Sequence, residues 1–373
     1  MSIIIEEVNP KKLKPFIKFP FELYKGNPYY VPPIIDFELS TLSPKKNPAF
    51  AHAKAKYWLA KMNGKTVGRI AGIILDTEAE EQGLMRIGWI DFIDNTQVSA
   101  ALFETAIEWG KQFGVRGVHG PMGFTDLDFE GLLIEGFDQL ASQAVIYNYP
   151  YYKDHFERLG FEKACDWVEV HGTLPPMPKR LQRTAQIVSN RFKLTSKKFK
   201  KTKDLLPFGK GVFEVLNESY KDLYGYYPLT DQQIDYYIKL YFGFIRKEFV
   251  SIIVNEKDEV VAFAISLPSL SKAFQKAKGH LYPFGFISVL KAFYSNQHLD
   301  MFLIGVKPSY QKKGANAVIF HDILNAYIQK GVKYVSTGPM LENNRGVLNL
   351  WNDYQDHLKE VVRRRCFIKW INQ

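Results

Sequence analysis

The sequence of 373 residues predicts an α/β (α+β) protein with a mixed sheet, laid down as two lobes in tandem. Two observations carry that expectation. Two distant segments, GVRGVHGPM at 114–122 and GVKYVSTGPM at 331–340, end in the same Gly-Pro-Met, each after a helix-like run (SAALFETAIEWGKQFG, then NAVIFHDILNAYIQKG). Upstream of each lies a pair of β-rich runs around a polar turn, YWLAKMNGKTVGRIAGIIL and FVSIIVNEKDEVVAFAISL. Periodic apolar spacing marks the helices, β-branched runs mark the strands, and self-similarity at long period marks a duplicated unit. Each copy reads hairpin, strand, helix, strand, helix, strand, an order that needs a mixed sheet with helices on its faces.

Aligning Val67 with Val260 gives an offset of 193 and aligning Gly114 with Gly331 gives 217, so the second copy carries 24 extra residues between these landmarks. They fall in Ser271–Gln297, a stretch of aromatic residues and lysines with a Pro-Phe-Gly break, which predicts two short amphipathic helices. Such helices would form a lid beside an apolar or lipid-like acceptor, attach to an anionic membrane surface, or fill the space between lobes.

A hydrophobic fraction of 46% over this length is more than one average core requires, and the lobes are placed at 1–175 and 176–373. No run approaches the roughly 20 apolar residues that span a bilayer, and MSIIIEEVNPKK has acids too early for a signal peptide, so a cytoplasmic protein is expected. Cys165 and Cys366 lie far apart outside any CxxC or Cys/His cluster and read as buried thiols. Asp126, Asp128 and Glu130 resemble the start of a calcium loop, but Phe137 stands at the twelfth position where a glutamate is needed, and no metal is assigned. The same stretch, residues 120–138, is acidic and glycine-rich enough to shape a loop for a cationic amine. The net charge of +10 favours anionic partners. Ten of the basic residues sit in Lys179–Lys203, which reads as a solvated connector or as a nucleic-acid patch.

The densest chemistry lies at Val306-Lys307-Pro308-Ser309-Tyr310-Gln311-Lys312-Lys313-Gly314-Ala315-Asn316, between the strand MFLIGV and a helix. A pyrophosphate needs several backbone N–H donors converging at a helix N-terminus, where the dipole also favours negative charge. Gly314 would let the backbone approach closely, and Lys312 and Lys313 would add charge. Read alone, QKKGAN is a basic turn capping a helix.

Together with the element order, this segment resembles the GCN5-related N-acetyltransferase (GNAT) superfamily, whose fourth strand ends in V-x-P-x-Y-[QR]-x-x-G-x-[GA]. Asn316 departs from that pattern, with Ala317 directly after it. The resemblance implies acetyl-CoA or another acyl-CoA as cofactor, held by Gln311, Lys312, Lys313, Gly314, Ala315, Asn316 and Ala317, by strand backbone at Ile304, Gly305 and Val306 with a β-bulge near Gly305, and by Asn344 at the start of the next helix. It further implies a base, with Asp300 first and Glu342 second, and an acid; Trp351 takes the acid's usual place, leaving Tyr354 one turn on. The first copy lacks the loop: RIGWIDFID passes through Asn95-Thr96-Gln97 into its helix, and Phe92 to Gly114 is 22 positions against 25 from Val306 to Gly331. Phe156 occupies that copy's acid position. The expected activity is acyl-CoA-dependent transfer, acetyl transfer in the first instance, to the amine of a small molecule or peptide, by a monomer or dimer. The alternatives are a non-catalytic CoA-binding or scaffold protein, or a transferase using aminoacyl-tRNA.

Overall fold

The computed structural model describes residues 2–295, 297–348, 351 and 354–371. The fold is mixed α/β, and the chain divides into two compact units. Unit 1 comprises Met1–Val168, Leu270–Leu290 and Val361–Gln373; unit 2 comprises Glu169–Ser269 and Lys291–Glu360.

In chain order, unit 1 begins with β1 (Ile3–Glu7), α1 (Lys14–Leu23), α2 (Ile35–Thr41), β2 (Ala53–Met62), β3 (Lys65–Leu75), α3 (Asp76–Gln82), β4 (Leu84–Phe92), α4 (Thr96–Lys111), β5 (Gly117–Gly120), β6 (Leu132–Glu135) and α5 (Tyr151–Arg158). After β7 (Glu162–Thr173) come α6 (Lys179–Phe192), β8 (Thr195–Ser196), α7 (Gly209–Tyr220), α8 (Asp231–Tyr241), β9 (Val250–Val254), β10 (Val260–Pro268), α9 (Ser271–Ala277) and α10 (Gly285–Ser295). The chain then forms β11 (His298–Val306), α11 (Pro308–Gln311), α12 (Ala315–Gln329), β12 (Tyr334–Thr337), β13 (Met340–Leu341), α13 (Arg345–Leu348) and β14 (Leu358–Trp370).

The strand order of unit 1 is β1-β2-β3-β4-β5-β14, antiparallel except for the parallel pair β4–β5. Unit 2 runs β7-β12-β11-β10-β9-β8, again with a single parallel pair, β11–β12. The two halves therefore repeat one topology, as the duplicated sequence pattern predicts. Local chemistry accounts for the elements. The β2–β3 hairpin turns on Asn63 and Gly64, both left-handed at φ 51° and 74°, the pairing that matches the twist of two-residue hairpins. Helix α4 is capped by Asn95, whose side chain accepts from the Gln97 and Val98 N–H groups at 3.0 and 3.2 Å. It buries Val98, Leu102, Ala106 and Trp109, one helical stripe.

Two expectations need correction. The basic segment at residues 179–203 is a connector only in its second half: Leu181, Ala185, Val188 and Phe192 recur at helical spacing and make residues 179–192 α6, with Ala185 and Val188 buried. The helix predicted to run on from Asn344 appears only as α13 among the described residues; 349, 350, 352 and 353 lie outside them, and the backbone is extended from Leu358 onward.

The core of unit 1 gathers β-strand residues with Phe103, Phe156, Phe161 and Phe367. The Phe156 ring sits 4.9 Å from those of both Phe103 and Phe367. Phe156, at the first copy's would-be acid position, is fully buried hydrocarbon. Phe367 comes from β14 and is 1% exposed, so the end of the chain completes this core. Phe367→Ala is expected to destabilise unit 1 by about 3–5 kcal/mol, read as a lower urea midpoint by tryptophan fluorescence.

Candidate functional site

Strand β11 pairs with β12 only from His298↔Tyr334 to Met301↔Thr337. The Gly338 N–H then donates to the Met301 carbonyl at 2.8 Å, and β12 turns away while β11 continues to Val306. On its other side β11 stays paired with β10 as far as Ala262↔Val306. That ladder has one irregularity: Ile265 faces Leu303 and Ser266 faces Met301, which leaves Phe302 as the extra residue. The bulge is therefore at Phe302, not near Gly305, which pairs regularly with Phe263. Because Lys307 donates to the Val261 carbonyl, strand alternation turns the backbone groups of Ile304 and Val306 toward the edge that β12 has left. Their carbonyls accept from the Tyr220 hydroxyl at 3.0 Å and the Gln311 amide at 3.1 Å. Gln311 thus braces the loop against the strand.

The loop itself opens with Lys307, paired to Glu218 at 3.1 Å, makes the single turn α11, and reaches Gly314 in the left-handed region at φ 81°. A side chain there would be strained, and its Cβ would lie 3.1 Å from Val188 of α6. Helix α12 starts at Ala315, and Ala317 donates back to Gly314. The N–H groups of Gly314, Ala315 and Asn316 lie at the helix mouth, where no intrahelical acceptor exists. Lys312 is exposed, and Lys313 lies over the rings of Tyr310 and Phe192 at 4.6 and 5.7 Å. Ala315 is buried, and Asn316 and Ala317 are partly so. This end of β11 and the start of α12 bring Ile304, Gly305, Val306 and the loop residues from Gln311 to Ala317 together.

The other candidates are spread more widely. Asp300 is buried at the paired end of β11, with His298 Nε2 at 3.7 Å from its carboxylate and 2.7 Å from Ser336 Oγ. Tyr354 is buried with Met301, Phe320 and Trp351 around a cavity of only ≈ 10 Å³. Met301 and Asp300 are consecutive in the strand and point to opposite faces, so Asp300 and Tyr354 do not meet. Asn344 donates its N–H to the Leu341 carbonyl and its own carbonyl accepts from Val347 and Leu348, which makes it the opener of α13. Glu342 stands partly exposed just before it.

Unit 1 holds a polar site that sequence reading missed. A cavity of ≈ 50 Å³ is lined by Tyr30, Glu38, Arg69, Trp89, Asp91 and a wall of apolar residues that includes Phe129. This is room for a few water-sized groups. Arg69 is spent on Asp91 at 2.7 Å and on the Phe16 carbonyl, and Asp91 also accepts from Tyr24 at 2.8 Å. Glu38 accepts from the Trp89 indole at 2.6 Å; among the described residues no cation lies within ion-pair reach of it. Burial raises the Glu38 and Asp91 carboxyls above their usual range, with Arg69 opposing the shift in both. Two buried acids and one arginine thus share this cavity. The readable signal was charge inside apolar strand runs, Arg69 in TVGRIAG and Asp91 in GWIDF.

Beside it, Arg86 and Glu78 form a fully buried pair at 2.7 Å, and against the cost of burial Arg86 and His119 hold Glu78 down at about 2. Burial pushes Asp126 to about 6 and Asp128 to about 7, although Asp128 accepts from the Phe124 and Thr125 N–H groups. Asp128 therefore keeps its proton in the folded state up to a pH where the unfolded chain, with an aspartate near 3.9, has lost it. Stability is greatest below that unfolded value and falls as the pH rises toward about 7. Glu78 acts oppositely, contributing above its unfolded value and losing that contribution as the pH falls toward about 2. The Asp128 contribution is lost between about pH 4 and pH 7, so thermal melts across that window should show Asp128→Asn declining less than wild type.

Comparison with known proteins fits this architecture. No protein-family model matches the chain. It is 29% identical over 361 residues to Protein YghO of Escherichia coli (strain K12), covering 92% of this chain and 89% of that one. It is 28% identical over 301 residues to the bacterial ceramide synthase of Caulobacter vibrioides, covering 77% and 75%. Among solved structures it superposes on a tandem GNAT protein from the clavulanic acid biosynthesis pathway with a TM-score of 0.56 at 9% identity, over 100% of this chain and 99% of that one. A probable N-acyltransferase from Enterococcus faecalis gives a TM-score of 0.51 at 7% identity, over 100% and 73%. The duplicated sheet topology, the strand pair that parts in each half and the whole-length superposition agree: the chain has the tandem GNAT fold.

Proposed function

We propose that the protein is an acyl-CoA-dependent N-acyltransferase whose donor site is the open edge of β11 and the mouth of α12, in a C-terminal lobe counted from residue 176. The observation that carries this reading is the pair of backbone groups at Ile304 and Val306 turned to the open strand edge, followed across one loop by the glycine-opened N-terminus of α12. The residues fit the cofactor: Gly314 leaves close approach to the backbone, and Lys312 and Lys313 add the charge a diphosphate needs. When bound, acyl-CoA supplies an activated thioester carbonyl. Gly314, Ala315 and Asn316 would hold the diphosphate by their N–H groups, and the backbone of Ile304 and Val306 would hold the pantetheine arm. The bulge at Phe302 leaves one residue of β11 outside the regular ladder, and its backbone N–H would be the donor to a thioester carbonyl. Asp300, two residues and roughly 7 Å along the strand from that bulge, takes the proton from the acceptor ammonium, with Glu342 as the alternative. Tyr354, on the opposite face, serves the thiol side.

The acceptor in this reading is a long-chain amine. The support is the likeness to a protein named a bacterial ceramide synthase over 77% of this chain, since a ceramide is the N-acyl amide of such an amine. A second reading, a CoA-binding protein without turnover, draws on the burial of Tyr354 in an apolar cluster.

Calorimetry with palmitoyl-CoA and free CoA is expected to show binding by wild type and a loss of about a hundredfold or more in Gly314→Glu, where a strained carboxylate meets the diphosphate. Asp300→Asn should keep that affinity and lose about 10²–10⁴-fold in kcat for thiol release with a sphingoid amine. Binding without turnover by wild type would favour the second reading. No binding at all would remove the acyl-CoA reading.

A further inference from the structure

Single exposed apolar side chains are ordinary on protein surfaces, but contiguous ones mark an interaction site. Among the described residues, six of the thirteen exposed large hydrophobic side chains fall between Tyr282 and Tyr294. Tyr282, Phe284 and Tyr294 are 77%, 74% and 70% exposed, and Ile287 and Leu290 about half. Helix α10 explains the concentration. Its Val289 and Phe293 face inward and are buried, while Phe286, Ile287, Leu290 and Tyr294 occupy the solvent side. Ser288, Lys291 and Ser295 give the helix one polar stripe, and the rest of its solvent side is apolar surface that expects cover. The adjoining turn adds Tyr282 and Phe284, with the Tyr282 and Phe286 rings 5.8 Å apart.

Charge identifies what covers it. The segment from Ser271 to Ser295 contains Lys272, Lys276, Lys278 and Lys291, all exposed, and no aspartate or glutamate. A second copy of the chain meeting this face across a two-fold axis would set lysines against lysines, whereas a surface of anionic headgroups satisfies the lysines and takes up the apolar side chains together. The eleven residues of α10 make a rod of roughly 16 Å, about half the thickness of a bilayer core, so the helix can lie in the interface but cannot cross it. We infer that α10 and the turn before it form a docking surface for an anionic membrane, with Phe284, Ile287 and Leu290 entering the headgroup region and the lysines of α9 and α10 contacting lipid phosphates. The inference concerns this surface alone and stands whatever the mouth of α12 binds.

The test is flotation of the full chain with phosphatidylcholine vesicles made with and without phosphatidylglycerol. Wild type should float with the anionic vesicles and lose that partition in high salt. Phe284→Glu with Leu290→Glu, both at exposed positions, should cut partition by about tenfold or more while the melting temperature stays unchanged. Lys276→Glu and Lys291→Glu should each cost about fivefold on anionic vesicles only. The inference is overturned if wild type stays in solution, if the double variant floats as well as wild type, or if light scattering shows wild-type dimers that the double variant abolishes, which would make the face a contact between copies.

Discussion

In each half of the chain a parallel strand pair runs for a few rungs and then parts, and a proline sits at the point of parting. β5 ends at Gly120 before Pro121, and β12 ends at Thr337 before Gly338 and Pro339. Proline has no N–H to give the ladder, so the last bonds come from its neighbours: Met122 donates to the Ile87 carbonyl and Gly338 to the Met301 carbonyl. Past those bonds β4 and β11 run on toward Phe92 and Val306 paired on one side only, with β3 and β10. The repeated Gly-Pro-Met is thus the local instruction that exposes strand backbone in the middle of a sheet, where polar groups would otherwise be consumed by pairing. The proposed donor site, the position of the bulge and the separation of Asp300 from the loop all follow from where that pairing stops.

What each half does with its exposed strand differs. In unit 2 the edge leads into a glycine-opened helix mouth flanked by lysines. In unit 1 it leads through Asn95 directly into a side-chain-capped helix, which satisfies with Asn95 the N–H groups that a ligand would need. The space beside the β4 irregularity, between Arg69↔Asp91 and Ala71↔Gly88, is occupied instead by Arg69, Asp91, Tyr24 and Tyr152. Such buried pairs add little net stability over well-packed hydrocarbon, while removing one partner costs several kcal/mol. Here the partners hold one another: Arg69 bonds Asp91 and the Phe16 carbonyl, and Asp91 accepts from Tyr24.

Those contrasts mark how far the sequence could be read. Hairpins, long helices and the duplicated order were legible because each is written in a local period, and the loop from Val306 to Ala317 was legible because its glycine, proline and lysines stand at fixed spacing. The bulge was misplaced because a bulge belongs to two strands at once; Gly305 looked suitable in its own strand, but the register against β10 puts the extra residue at Phe302. Strand β14 was hidden by its charges. Arg363, Arg364 and Arg365 interrupt the apolar pattern, yet Arg364 is 2% exposed and reaches the Ile146 carbonyl, while Arg365 grips Asp166 at 2.8 Å. Partners that far away in sequence leave no local trace.

The basic stretch at residues 179–203 shows the same limit from the other side. Its count of lysines and arginines suggested a solvated tether, but its apolar residues give α6 a face, and that face is used at the loop. Val188 would touch a side chain at Gly314, and the Phe192 ring lies 5.7 Å from the Lys313 ammonium. The opposite face carries Lys179, Arg180, Arg183 and Arg191, all exposed. One helix therefore fixes the backbone of the loop by packing while raising the positive potential around it. In the donor-site reading this places part of the chain's charge excess where a diphosphate would arrive, since clustered like charge raises the local concentration and association rate of an oppositely charged ligand. The same arrangement makes the potential salt-sensitive and the packing salt-insensitive, so ionic strength should act on the rate of donor capture far more than on the shape of the loop.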